Sequence, residues 1–405
     1  MIAKLNTAKI ALKEANWPLV NEILQQLPLS SHGIAEPNLS ETEWETVLEL
    51  AIQILSESDF GQRWEIAKLF PKLGERAIAP LINLLEDETL DLEIRWFVGR
   101  ILSQFKHPES VLALARLLQQ TEEEELSTMA AQALAEIGIS AVSSLTELLK
   151  NSETRLLATQ ALSVMRRSET ISPLLTVIDD LNPNVRATAI EALGSFHHPQ
   201  IYPLLIAALK DPAAQVRKEV VVALGYLTES DASQDTVIHL KPLLYDLKPE
   251  ICQQTVIALG RIGTPDAIAT LEPVLQSPLT STGLKIEIIT ALGWIETEDA
   301  LLCLQKALEW GDEVICQEVI TVMSRANQPQ LKQQAAHILI QFFHSQHKTL
   351  QNPSVRQALA TSLGELGIEG QEVLEQLAQD DNIRVKLHAV SALKKLTKQQ
   401  YVQQH

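Results

Sequence analysis

Val185-Arg186-Ala187-Thr188-Ala189-Ile190-Glu191-Ala192-Leu193-Gly194 is followed, 31 residues on, by Val216-Arg217-Lys218-Glu219-Val220-Val221-Val222-Ala223-Leu224-Gly225. Both copies run from a valine and an arginine to an Ala-Leu-Gly close. Aligning the chain on that close gives about eleven copies. The arginine column reads Arg63, Arg95, Ser127, Arg155, Arg186, Arg217, Cys252, Lys285, Cys316, Arg356 and Lys386, with eight basic residues and steps of 28 to 40. A fixed period in this range marks a solenoid, in which each repeat contacts its neighbours and function comes from extended surfaces.

Each copy reads as two helices. Over 184–196 the apolar residues Val185, Ala189, Ile190, Ala192 and Leu193 fall at helical spacing. Gly194 is expected to end this helix in a left-handed conformation, where glycine has no Cβ penalty. A second helix follows over 201–209, and Asp211-Pro212 opens the next copy with residues favoured at helix starts. Acids stand shortly before the column, as Asp180 before Arg186 and Asp211 before Arg217. Arg63, Arg95, Arg155, Arg186, Arg217 and Arg356 are therefore expected to form a structural ladder to acids of adjacent repeats. Binding a partner is the alternative role for the column. The expected fold is all-α: a right-handed α-solenoid (superhelix) over 57–405, with an irregular N-terminal helical cap over 1–56. Residues 28–40 read as a linker inside the cap.

The chain has 405 residues, 46% of them hydrophobic, enough to bury a continuous core. Its net charge of −18 disfavours nucleic acid and anionic membrane as partners, since both need basic patches. It reads as plain solvation of the surface, or else as favouring a partner that is basic where it touches. No apolar run approaches a membrane span and no signal-peptide core is present, so a cytoplasmic protein is expected. Three cysteines, Cys252, Cys303 and Cys316, are too few for a disulfide framework.

Candidate chemistry is sparse. Cys252 and Cys316 share the arginine column two repeats apart, roughly 20 Å at about 10 Å per packed helix, so they neither pair nor share a metal. The three thiols read as buried and inert, or else as ligands shown to a cluster-carrying partner. His197 and His198 are adjacent in a loop, and His344 and His347 have a chelating spacing only if helical. A metal site is not expected. Glu122 to Glu125 should stabilise a helix N-terminus or offer an acidic docking patch. Trp64 and Trp96, each one residue past a column arginine, form an exposed strip or pack on the cap. The 40-residue step after Cys316 holds a long helix over 331–343 and a polar loop over 344–352. No phosphate loop, nucleophile elbow or acid–base pair is legible, so no catalytic residue is nominated and no cofactor is expected.

The Val-Arg-x-x-Ala-x-x-Ala-Leu-Gly frame, with Pro80-Leu81-Ile82, Pro173-Leu174-Leu175 or Pro203-Leu204-Leu205 opening the second helix, resembles the bacterial HEAT-like repeat. More narrowly, it is similar to the version in cyanobacterial phycobiliprotein (bilin) lyases. The resemblance covers about residues 59–396 and rests on packing positions, so it implies fold more than activity. The reading is a protein–protein interaction scaffold or assembly factor. Its second helices, with Asn83, Arg116, Glu147, Thr176 and Lys306 at equivalent positions, are expected to line the concave, partner-binding face. The resemblance implies an alternative, a subunit of a bilin lyase/isomerase or a pigment-protein assembly chaperone whose partner is a phycobiliprotein or another HEAT-like subunit. A further alternative, resting on the cysteines, is a partner of an iron–sulfur cluster carrier.

Overall fold

A computed structural model describes residues 2–29, 39–196, 198, 200–227 and 233–403. All regular elements among these residues are α- or 3-10 helices. The chain divides into two compact units, the first ending at Leu193 and the second beginning at Gly194.

In the first unit, Ile2–Lys13 packs on Trp17–Gln25 and Glu41–Glu57. Ser40 and Glu43 close a capping box at the start of the last of these. Asn21 donates its Nδ2 to the Oε1 of Gln62 at 2.6 Å, tying these helices to the Phe60–Ala67 helix. Most of the expected linker lies outside the described residues. First helices Leu92–Leu102, Glu124–Ile137, Arg155–Met165 and Pro183–Leu193 then stack on one another, with second helices Ile78–Glu86, Pro108–Gln120, Val142–Leu148 and Ile171–Leu175 alongside. Glu124 and Glu125 fall in the first turn of their helix, where the dipole favours acids.

In the second unit the first helices are Ala214–Tyr226, Pro249–Ile262, Thr282–Ile295, Glu313–Met323, Pro353–Leu366 and Ile383–Gln403. Their apolar stripes are fully buried, for example Val216, Val220 and Leu224, or Val355, Leu359 and Leu363. Burial of each large aliphatic side chain is worth about 1.5–3 kcal/mol, so the stack of such stripes holds the repeats together.

The glycine of the Ala-Leu-Gly close has a different role from the one expected. Gly225, Gly260 and Gly364 lie inside their helices, with no left-handed backbone. A Cβ on Gly225 would sit 2.9 Å from the Cβ and 3.0 Å from the Cα of Ala258, and one on Gly364 would sit 2.6 Å from the Cβ of Ala392. The motif glycine lets the next first helix approach. Left-handed helix ends fall instead to Gly263, and to Arg166 and Glu296 where no glycine is present. The long helix after Cys316 runs Pro329–His344, and the expected polar loop contains the 3-10 turn Lys348–Gln351.

Candidate functional site

The seam between neighbouring repeats is built from one recurring joint. Arg217 donates Nε to Oδ2 of Asp246 at 2.8 Å and Nη2 to Oδ1 at 2.9 Å. Its Nη1 donates to the carbonyls of Asp211 and Pro212 in its own repeat. The N–H of Lys248 donates to Oδ1 of Asp246, so the same carboxylate holds its turn in shape. Arg217's hydrogen bonds, together with that N–H, outweigh burial and hold the Asp246 carboxyl below its ordinary value. Arg356 forks onto Asp380 in the same way while capping the carbonyls of Leu350 and Gln351. Arg155 reaches Asp180 at 2.8 Å and the carbonyls of Leu149 and Lys150. Arg186 donates to the carbonyls of Asp180 and Leu181. The Asp180 carboxylate thus belongs to the arginine of the preceding repeat.

A rule emerges that was legible in the sequence and missed there. The acid stands six residues before the column residue of the following repeat. Where the column residue is not basic, that position is apolar: Ser127 faces Leu149 in the alignment, Cys252 faces Leu279, and Cys316 faces Leu350. Where the column holds lysine, it is aromatic, and the Lys285 ammonium lies 4.8 Å from the Trp310 ring centre. In the cysteine repeats the thiol reaches the loop carbonyls instead, Cys252 that of Asp246 and Cys316 that of Gly311.

The first two arginines depart from the rule, because Thr89 and Thr121 occupy the acid position. Arg63 finds a substitute in Glu93, one turn into the next helix. Arg95 does not. Only 8% of it is exposed, and its Nε donates to the Leu85 carbonyl at 2.9 Å. Among the described residues no carboxylate lies within ion-pair distance of it, and no acceptor meets its terminal nitrogens. Arg95 lines an open cleft of 660 Å³ with Leu85, Arg116, Leu117 and Thr121, rimmed by Glu86, Glu88, Glu122 and Glu123. Arg116 is held to Glu86 at 3.0 Å.

The expected partner column is exposed throughout. Several members already have neighbours: Glu147 pairs with Lys150, Lys306 with Glu272 at 2.7 Å, and the Thr176 hydroxyl donates to the Pro173 carbonyl. Another column, unforeseen in the sequence, lies just past the close in the second unit: Tyr226, Arg261 and Trp294 on the first helices, and Arg325 in the turn after Glu313–Met323. Tyr226 is 59% exposed and Trp294 52%. The Arg261 guanidinium lies 4.2 Å from the Tyr226 ring centre, and the Trp294 ring leans toward Gly260. Among the described residues neither arginine has a carboxylate within ion-pair distance.

Trp64 joins Phe60, Phe97 and Trp96 in one aromatic cluster, half exposed at Trp64 and Phe60. All three cysteines are free and buried. Burial pushes the Cys252 and Cys316 thiols up, and Cys303 to about 12. His344 ends a helix, whereas His347 caps the next turn through Thr349, so the pair shares no helix. His197 lies outside the described residues. Among those described, no three His, Cys, Asp or Glu side chains are placed to hold a metal. No described helix is long and apolar enough to cross a membrane.

The family model for HEAT repeats matches residues 78–166, 171–246 and 237–324, more than half of the chain. The chain belongs to the HEAT-repeat family. Over 164 residues it is 25% identical to an uncharacterized phycocyanin operon protein Z from Pseudanabaena tenuis, covering 39% of this chain and 80% of that protein. Over 236 residues it is 23% identical to deoxyhypusine hydroxylase of Drosophila melanogaster, covering 57% and 72%. Among solved structures, importin beta aligns over 99% of this chain and 63% of its own, with a TM-score of 0.53 at 14% identity. That likeness shows the α-solenoid fold.

Proposed function

We propose that this HEAT-repeat chain is a protein-binding scaffold or assembly factor, with its main contact surface at the C-terminal ends of the first helices of the second unit. The observation that supports the reading most is the Tyr226, Arg261, Trp294 and Arg325 column. Tyrosine, tryptophan and arginine carry most of the energy at protein interfaces. Here they recur at one position of consecutive repeats and remain open to solvent. The helices that present them are already ordered, which keeps the cost of docking low. Asn83, Arg116, Glu147, Thr176 and Lys306 form a secondary surface in this reading, since several already have partners. The likeness to a phycocyanin operon protein favours one partner class, a phycobiliprotein in the course of pigment assembly.

The test is affinity capture from native cytosol with the wild type and with Tyr226→Ala/Trp294→Ala. The scaffold reading expects one dominant protein, retained by the wild type and lost by the variant. A visible tetrapyrrole spectrum in the captured complex would support the phycobiliprotein class. Retention of no protein, or equal retention by both chains, would overturn the assignment of this surface.

A further inference from the structure

The joint at Arg95 lacks the aspartate that fills its counterparts at Arg155, Arg217 and Arg356. Arg155, Arg217 and Arg356 each receive the aspartate of the following repeat, and Arg63 receives Glu93. After Arg95 that aspartate is replaced by Thr121, and among the described residues no carboxylate reaches ion-pair distance; Asp87, bonded to Thr89, acts on it only from farther off. An arginine cannot shed its charge, and Nε is already satisfied by the Leu85 carbonyl, which leaves the two terminal nitrogens to solvent or to a ligand. Arg95 lines a cleft of 660 Å³, with a second arginine, Arg116, on the wall.

We propose that this cleft docks an extended segment of a partner protein, anchored by one aspartate or glutamate side chain on Arg95. The proposal rests on the protein-binding reading above. The chain itself supplies the precedent for the anchor: a loop carboxylate forked onto the arginine, as Asp246 sits on Arg217. The rim fixes the rest of the ligand's chemistry. Glu88, Glu122 and Glu123 surround the slot, and no ion pair holds them among the described residues. A uniformly acidic segment would be repelled there. The segment that fits is basic, with a single carboxylate at its centre. Nucleic acid fits poorly, because its backbone brings one negative charge after another to a glutamate rim.

The probe is a fluorescein-labelled peptide, Lys-Lys-Gly-Asp-Gly-Lys-Lys, titrated into the full-length chain by fluorescence anisotropy. The control peptide carries asparagine in place of the aspartate. Loss of charge-assisted hydrogen bonds to a buried arginine should weaken the control by roughly tenfold or more. The decisive variant is Thr121→Asp, which places the missing acid inside the chain. It should raise the melting temperature and abolish peptide binding together. Equal binding of the two peptides would remove Arg95 as the anchor. A rise in melting temperature with no binding of the aspartate peptide would mean an unfilled joint and no ligand site. If Thr121→Asp still captures the wild type's native partner in full, the cleft is not the docking site, while the scaffold reading stands.

Discussion

Replacing Asp246 with alanine is the sharpest perturbation of the inter-repeat joint. The substitution removes two charge-assisted hydrogen bonds from Arg217 and one from the Lys248 N–H. The side chains are 15% and 7% exposed, so water replaces little of what is lost. Arg217 keeps Nη1 on two loop carbonyls and is not stranded completely. A hydrogen bond to a charged group is worth about 1.5–3 kcal/mol, and breaking a fully buried pair costs about 3–5 kcal/mol. The retained carbonyl contacts place this joint between the two, near 3 kcal/mol. In a unit of this size each kcal/mol moves the melting temperature by about 2–4 °C, so a fall of roughly 6–12 °C is expected by circular dichroism. The pH dependence adds a signature. Asp246 titrates below its ordinary 3.8 in the folded chain. Its contribution is therefore complete above that pH and is lost as pH falls through the folded value. The gap between wild type and Asp246→Asn should close below about pH 4. A shift within about 0.5 kcal/mol of wild type, typical of a surface change, would refute the ladder as a source of stability.

Gly225→Ala should destabilise by roughly 1–3 kcal/mol, because the new methyl meets Ala258 at 2.9 Å. Gly283→Ala meets nothing within 4 Å and should gain about 0.4–1 kcal/mol; the same sign for both in thermal melts would contradict the packing account. All three thiols should resist Ellman's reagent in the folded chain and react fully in denaturant, and a fast native thiol would overturn their burial. Arg116→Glu with Lys306→Glu breaks only exposed pairs, so stability should change by no more than about 1 kcal/mol; a larger loss in the melt would show that these pairs hold the second helices together.

The repeat and its helical period were legible because the frame from Val185 to Gly194 states both at once. The ladder arginines were legible as a column, and their partners stood in the sequence too, as in Arg217 with Asp246 and Lys285 with Trp310. The motif glycine was misread because glycine serves both helix ends and close helix contacts, and one repeat period fits either role. Gly225 needed Ala258 beside it before its function showed. The Tyr226 to Arg325 column was obscured because its members differ in type from repeat to repeat. Arg95 looked like any other rung until its guanidinium was seen with no carboxylate at ion-pair distance among the described residues.

Amide hydrogen exchange on the full-length chain, alone and with the captured native partner, tests the central claim that this solenoid works by binding protein through these surfaces. The account predicts slowed exchange at the ends of the first helices around Tyr226, Arg261 and Trp294, and around the Arg95 cleft near residues 85–95 and 116–123. Protection confined to other segments, with these unchanged in the complex, would contradict it.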